Sequence, residues 1–208
     1  MQTVTVTPKF VFGVNGQLNN CLMMHEEKKL VYVAGHNVIV YDLEDNFQVF
    51  IPGSQNADEI NFIALSPSGR YIALCERGQP RATVTIYEVV TKKKRKTLPE
   101  PDMDNLSFNC KEFLSCAFSP TTEKQHLVTL CGEDDWCVIV WQWDQFKMLS
   151  RLDLNVVSPN ETNIFQVSMN QVMQDLVVVV TGSQTYNYLK LEENMRSINQ
   201  VHDSLPQV

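Results

Sequence analysis

The feature that most constrains the fold is the stretch Ile60–Glu100, where short β-branched and aromatic runs alternate with Gly, Pro and Ser. Ile60–Pro67 is apolar and leads into the turn Ser66-Pro67-Ser68-Gly69-Arg70. Tyr71–Glu76 follows, then a Gly-Pro loop, then Ala82–Val90, and a basic turn leads to a last short strand near Thr97. Branched and aromatic side chains fit a pleated surface, and Gly, Pro and Ser supply the dihedrals of hairpin turns. The stretch therefore predicts four consecutive strands. Sustained helical periodicity is missing, and a short helix is admissible only over Glu192–Ser204.

The same layout recurs. Units are expected at about 20–54, 60–100, 113–154 and 163–201. Phe113–Pro120 aligns with Ile60–Pro67 at its Ser-Pro end, so the turn after the first strand is repeated. The residue near the end of each third strand is Tyr41, Tyr87, Trp141 or Leu189, spaced 46, 54 and 48 residues apart. Four-stranded units at this period are the signature of WD-type blades. A sandwich also has many short strands but predicts no recurring Ser-Pro turn. The expected fold is all-β, an incomplete WD40-type β-propeller of about four blades from a larger ring. Lys9–Val14, a short alternating run with no partner before it, is expected to be the closing outer strand of a last blade.

Composition narrows the function. A net charge of −7 lacks the basic face that nucleic acid requires, so no nucleic-acid partner is expected. No apolar run reaches the length of a membrane span, and the first residues lack a signal-peptide pattern. No membrane partner is expected, and the expected compartment is the cytosol. The six cysteines, Cys21, Cys75, Cys110, Cys116, Cys131 and Cys137, have no C-x-x-C spacing and read as small apolar core residues. The sequons Asn105-Leu-Ser107 and Asn160-Glu-Thr162 read as ordinary loops, and Glu133-Asp134-Asp135 lacks the further oxygen ligands of a calcium loop. No catalytic constellation surrounds His25, His36, His126 or His202, so no catalytic residue, metal or cofactor is expected.

Two motifs remain. Lys92, Lys93, Lys94, Arg95 and Lys96 form the sharpest charge run, expected in the turn between a third and fourth strand. It suits either plain solvation, nuclear import or contact with an acidic surface such as tubulin. Trp141 and Trp143 fall on one strand face by alternation and are expected in the core between blades.

Taken together, Phe50-Ile-Pro-Gly-Ser54, Ala64–Ala73, Val84-Thr-Ile-Tyr-Glu88, Phe113–Pro120 and Trp141-Gln-Trp143 resemble the cilia- and flagella-associated protein 57 family. The resemblance implies an N-terminal propeller portion of a non-enzymatic axonemal scaffold in the cytoskeleton of cilia and flagella. Its implied partners are inner dynein arm subunits and the tubulin of doublet microtubules, with the scaffold helping attach the arms and supporting motility. Lys92 to Lys96 is the candidate contact. Family members continue into further blades and a long coiled coil, which this sequence lacks. A general cytosolic or nuclear WD adaptor recruiting an enzyme complex is the alternative.

Overall fold

A computed structural model describes residues 8–99, 110–120, 126–133, 135–154, 164–170, 177–182, 186–191 and 198–201. They form four antiparallel four-stranded sheets, each built from strands in chain order. The first blade holds β1 (Leu22–His25), β2 (Lys29–Ala34), β3 (Asn37–Asp42) and β4 (Phe47–Pro52). The second holds β5 (Ala57–Leu65), β6 (Tyr71–Gly78), β7 (Thr83–Glu88) and β8 (Lys94–Leu98). The third holds β9 (Phe113–Phe118), β10 (His126–Cys131), β11 (Cys137–Gln142) and β12 (Lys147–Asp153). The fourth holds β13 (Ile164–Met169), β14 (Val177–Gly182), β15 (Tyr186–Leu191) and β16 (Ile198–Val201). This is a partial WD-type propeller. The strand at Ile198–Val201 is the last strand of the unit expected over 163–201, and it completes the outer edge of the fourth sheet against β15, so these residues do not take up the short helix admitted over Glu192–Ser204.

The recurring turn has a physical basis. Ser66 N–H donates to Tyr71 O at 2.8 Å and Ser119 N–H to His126 O at 2.9 Å, so a serine closes the loop after both β5 and β9. In the second blade the Ser66 hydroxyl also accepts from Tyr71 N–H at 3.0 Å, and Gly69 supplies a φ of +67°.

The blades stack in chain order through alternate strand faces. Val31, Val33, Val38, Val40 and Ile51 pack on Ile60, Ile63, Ile72 and Leu74 between the first and second. The opposite face of the second, with Phe62, Ala73, Val84 and Ile86, meets Phe113, Leu127, Ile139 and Trp141 of the third. Val128, Leu130, Val138 and Val140 then face Val167, Val178, Val180 and Leu189 of the fourth. Each fully buried aliphatic side chain contributes about 1.5–3 kcal/mol of transfer free energy, so these three seams carry the fold. A bulge between Ile60 and Phe62 lets β5 send Ile60 to one seam and Phe62 to the other. Trp141 and Trp143 both lie in the second seam, but Trp143 sits in a 3-10 turn (Trp143–Gln145), not on the strand.

Polar links fasten neighbouring blades. Glu76 on β6 is fully buried and accepts from Ser54 N–H (2.6 Å), Ser54 Oγ (2.7 Å) and Thr85 Oγ1 (2.7 Å). Ser54 belongs to the linker leaving the first blade, and its carbonyl lies 2.9 Å from His36 Nε2 in the β2–β3 turn. The carbonyl of Pro52, the last residue of β4, accepts from Tyr87 OH at 3.0 Å. Phe50-Ile-Pro-Gly-Ser54 is thus a joint held from both sides. Between the third and fourth blades the Ser115 hydroxyl accepts from Val167 N–H at 3.2 Å.

Lys9–Val14 does not form the expected strand. It lies against the first blade on the face turned away from the second. Val11 N–H donates to Gln48 Oε1 (2.8 Å), while Gln48 Nε2 donates to Val11 O (3.1 Å) and to Tyr32 OH (3.0 Å). A side-chain amide has taken the place of a strand partner, and Phe10 packs edge-on against Tyr41. The two sequons, Asp134 and most of Glu192–Ser204 lie outside the described residues.

Candidate functional site

The basic run falls at one corner of the second blade, and it is divided. Lys92 and Lys93 lie in the turn, with Lys92 at a φ of +57°, whereas Lys94, Arg95 and Lys96 belong to β8. The turn is shorter than the charge run because Ile86 and Tyr87 already pair with Lys96 and Lys94.

The corner is built on Glu88, which is 5% exposed at the end of β7. Its carboxylate accepts from Thr91 Oγ1 (2.6 Å), from Arg70 Nε (2.9 Å) and from an Arg95 guanidinium nitrogen. These three donors, Thr91 foremost, hold the carboxyl down at about 2. Arg70 comes from the Ser66–Arg70 turn, whose carbonyl accepts from Val89 N–H at 2.9 Å. The bond to Glu88 raises the Arg70 guanidinium further above its ordinary value.

The five cations therefore have different tasks. Arg95 is committed to Glu88, and Lys96 Nζ lies 3.7 Å from the centroid of the Phe146 ring in the third blade. Lys92, Lys93 and Lys94 are exposed, with no acidic partner in the ion pairs of the described residues. The cations left for a partner are compact ammonium charges, whereas the planar forks of Arg70 and Arg95 are bound to Glu88. Such a surface attracts acidic groups without demanding one bidentate geometry. Arg70 and Glu88 were not identified as its foundation from sequence. Their signal was the Ser-Pro-Ser-Gly-Arg turn lying next to the Tyr-Glu end of a third strand.

A second concave feature lies where the first strands converge. Met23, Met24, Phe62, Leu65, Phe118 and Met169 contribute to the walls of a groove of about 460 Å³ reached by all four blades. Asn20, Gln166 and Ser168 also line it, and none of its lining residues carries a carboxylate, imidazole, ammonium or guanidinium group. Among the described residues, no cluster of His, Cys, Asp and Glu is arranged to hold a metal ion. The cysteines are free thiols, and burial pushes those of Cys75 and Cys131 well above the ordinary range, away from the reactive thiolate. No helix of the described residues is long and apolar enough to cross a membrane.

No protein-family model matches the chain. Among curated proteins, it is 33% identical over 88% of its length to cilia- and flagella-associated protein 57 C of Tetrahymena thermophila. It is 29% identical over 96% of its length to cilia- and flagella-associated protein 57 of Mus musculus. The match to cilia- and flagella-associated protein 52 of Bos taurus is shorter, at 30% identity over 67% of this chain. The chain spans 14%, 15% and 21% of the respective lengths of these relatives.

Proposed function

Because the chain belongs to the cilia- and flagella-associated protein 57 family, we propose that it serves as a non-enzymatic interaction platform of the ciliary axoneme. In this reading the blades are a rigid support, and the second-blade corner is the point of contact. Its partners are acidic axonemal surfaces, either tubulin of the doublet microtubules or subunits of the inner dynein arms. The whole protein helps attach those arms and thereby supports motility. Beyond the family membership, one observation carries the docking role: Lys92, Lys93 and Lys94 are exposed with no acidic partner among the described residues, while Arg95 is bound to Glu88 and Lys96 sits over the Phe146 ring. Three exposed like charges held together repel one another, and a carboxylate-rich partner relieves that repulsion. The outer face of the first blade, covered here by Lys9–Val14, is where a further blade of a larger ring would stack.

The test is localisation of the tagged full-length protein in ciliated cells. Axonemal staining, lost on detergent-resistant axonemes when Lys92, Lys93 and Lys94 are all changed to Gln, supports the proposal. Nuclear staining would favour an adaptor role instead.

A further inference from the structure

Thr91 connects the buried and exposed layers of the basic corner. It sits at the hairpin tip beside Val90, which is 80% exposed, and is itself exposed. Five cations follow it in sequence. Its hydroxyl donates to Glu88 Oε2 at 2.6 Å and accepts from Lys93 N–H at 3.4 Å. A group attached at Thr91 Oγ1 is therefore brought within a bond length or two of the carboxylate that Arg70 and Arg95 grip. Those two side chains are 60% and 41% exposed, so both can turn toward a new anion.

We propose that Thr91 is a phosphoryl-acceptor site for a kinase that reads adjacent basic residues, and that phosphorylation switches off docking by the lysine corner. The inference rests on the docking reading above. In the transfer, Thr91 Oγ1 forms a bond to the γ-phosphorus of ATP and the bond to the β–γ bridging oxygen breaks. ADP leaves, and the hydroxyl proton passes to a base of the kinase. The product loses the Thr91–Glu88 hydrogen bond, since the esterified Oγ1 no longer carries a proton to donate. It places about two negative charges against Glu88. Repulsion from Glu88 drives the phosphate outward, toward Arg95, Lys93 and Lys94. The lysines among them are then partly neutralised within the chain and are withdrawn from an acidic partner.

The experiment treats the full chain with ATP and the purified catalytic subunit of a kinase that prefers basic substrates, then maps phosphate by mass spectrometry. The expected result is phosphate on residue 91, absent in Thr91→Val and retained in Thr91→Ser. The phosphorylated chain should bind polyglutamate about tenfold more weakly at low salt than the unmodified chain. The inference is overturned if residue 91 stays unmodified while other hydroxyls react. It is also overturned if Thr91 is phosphorylated and polyglutamate binding does not change. The unphosphorylated Lys92→Gln/Lys93→Gln/Lys94→Gln chain separates the two ideas. If it binds polyglutamate as tightly as wild type, the docking reading fails, whereas a mapping failure with docking intact removes the switch alone.

Discussion

Replacing Gly69 with Ala should destabilise the protein through two causes that can be measured apart. Gly69 has a φ of +67°, and a Cβ placed there would stand 2.2 Å from Cε1 and 2.6 Å from Nδ1 of the His25 ring. His25 is only 6% exposed, so its ring has little room to retreat from the turn of the second blade. The left-handed conformation costs Ala about 1–2 kcal/mol. Reduced unfolded-state freedom returns about 0.4–1 kcal/mol, leaving a net backbone cost near 1 kcal/mol. Displacing the ring adds a second contribution of about 1–2 kcal/mol, the range of overpacking in a filled site. A total of about 2–3 kcal/mol corresponds to a fall in Tm of roughly 4–12 °C for a chain of this size. Urea denaturation followed by circular dichroism gives the free energy directly. A double-mutant cycle with His25→Ala isolates the clash, because Gly69→Ala in that background should cost only the backbone part. The predicted coupling is about 1–2 kcal/mol. Additivity within about 0.3 kcal/mol, or a Gly69→Ala chain as stable as wild type, would refute the packing of this turn under the first blade.

Other expectations are equally specific. Glu88 has a folded pKa depressed to about 2, so its contribution to stability is complete above the unfolded value near 4.5 and disappears as pH falls between them. The gap between the urea midpoints of wild type and Glu88→Gln should therefore be full at pH 6 and shrink to a small remnant at pH 2; a constant gap would contradict the Thr91–Arg70–Arg95 cradle. Ser54→Ala removes one hydroxyl donor from the fully buried Glu76 and should cost about 1–3 kcal/mol in the same assay, whereas a neutral result would mean that the joint is not held there. Trp141→Phe leaves Thr129 Oγ1 without the indole donor at 2.9 Å and opens space in a fully buried site. A loss of about 2–4 kcal/mol is expected in chemical denaturation, and a change below about 1 kcal/mol would remove Trp141 from the centre of its seam.

Much of this architecture was legible because strands advertise themselves locally. The runs at Leu30–Ala34, Tyr71–Glu76 and His126–Cys131 are apolar and branched, and a hydrogen-bonded turn requires Gly35 or the Ser66–Gly69 loop wherever the sequence places it. What stayed hidden depends on contacts distant in sequence. The bulge between Ile60 and Phe62 reverses which residues share a face, and strict alternation cannot announce it. Lys9–Val14 reads as a strand from its own residues, yet it is held by the side chain of Gln48, thirty-seven positions away. Charge runs conceal the same difficulty. Lys92 to Lys96 look equivalent until Glu88 claims Arg95 and the Phe146 ring engages Lys96. The outward lysines could be named from sequence, but the carboxylate beneath them could not.

The measurement that tests the docking account most directly is co-sedimentation of the full chain with salt-washed axonemal doublets. Wild type and a Lys28→Gln/Lys29→Gln control should pellet in a salt-sensitive manner, because Lys28 and Lys29 are already paired with Glu44 and Glu26. Lys92→Gln/Lys93→Gln/Lys94→Gln should remain in the supernatant under the same conditions. Equal pelleting of that triple variant and wild type would contradict the account.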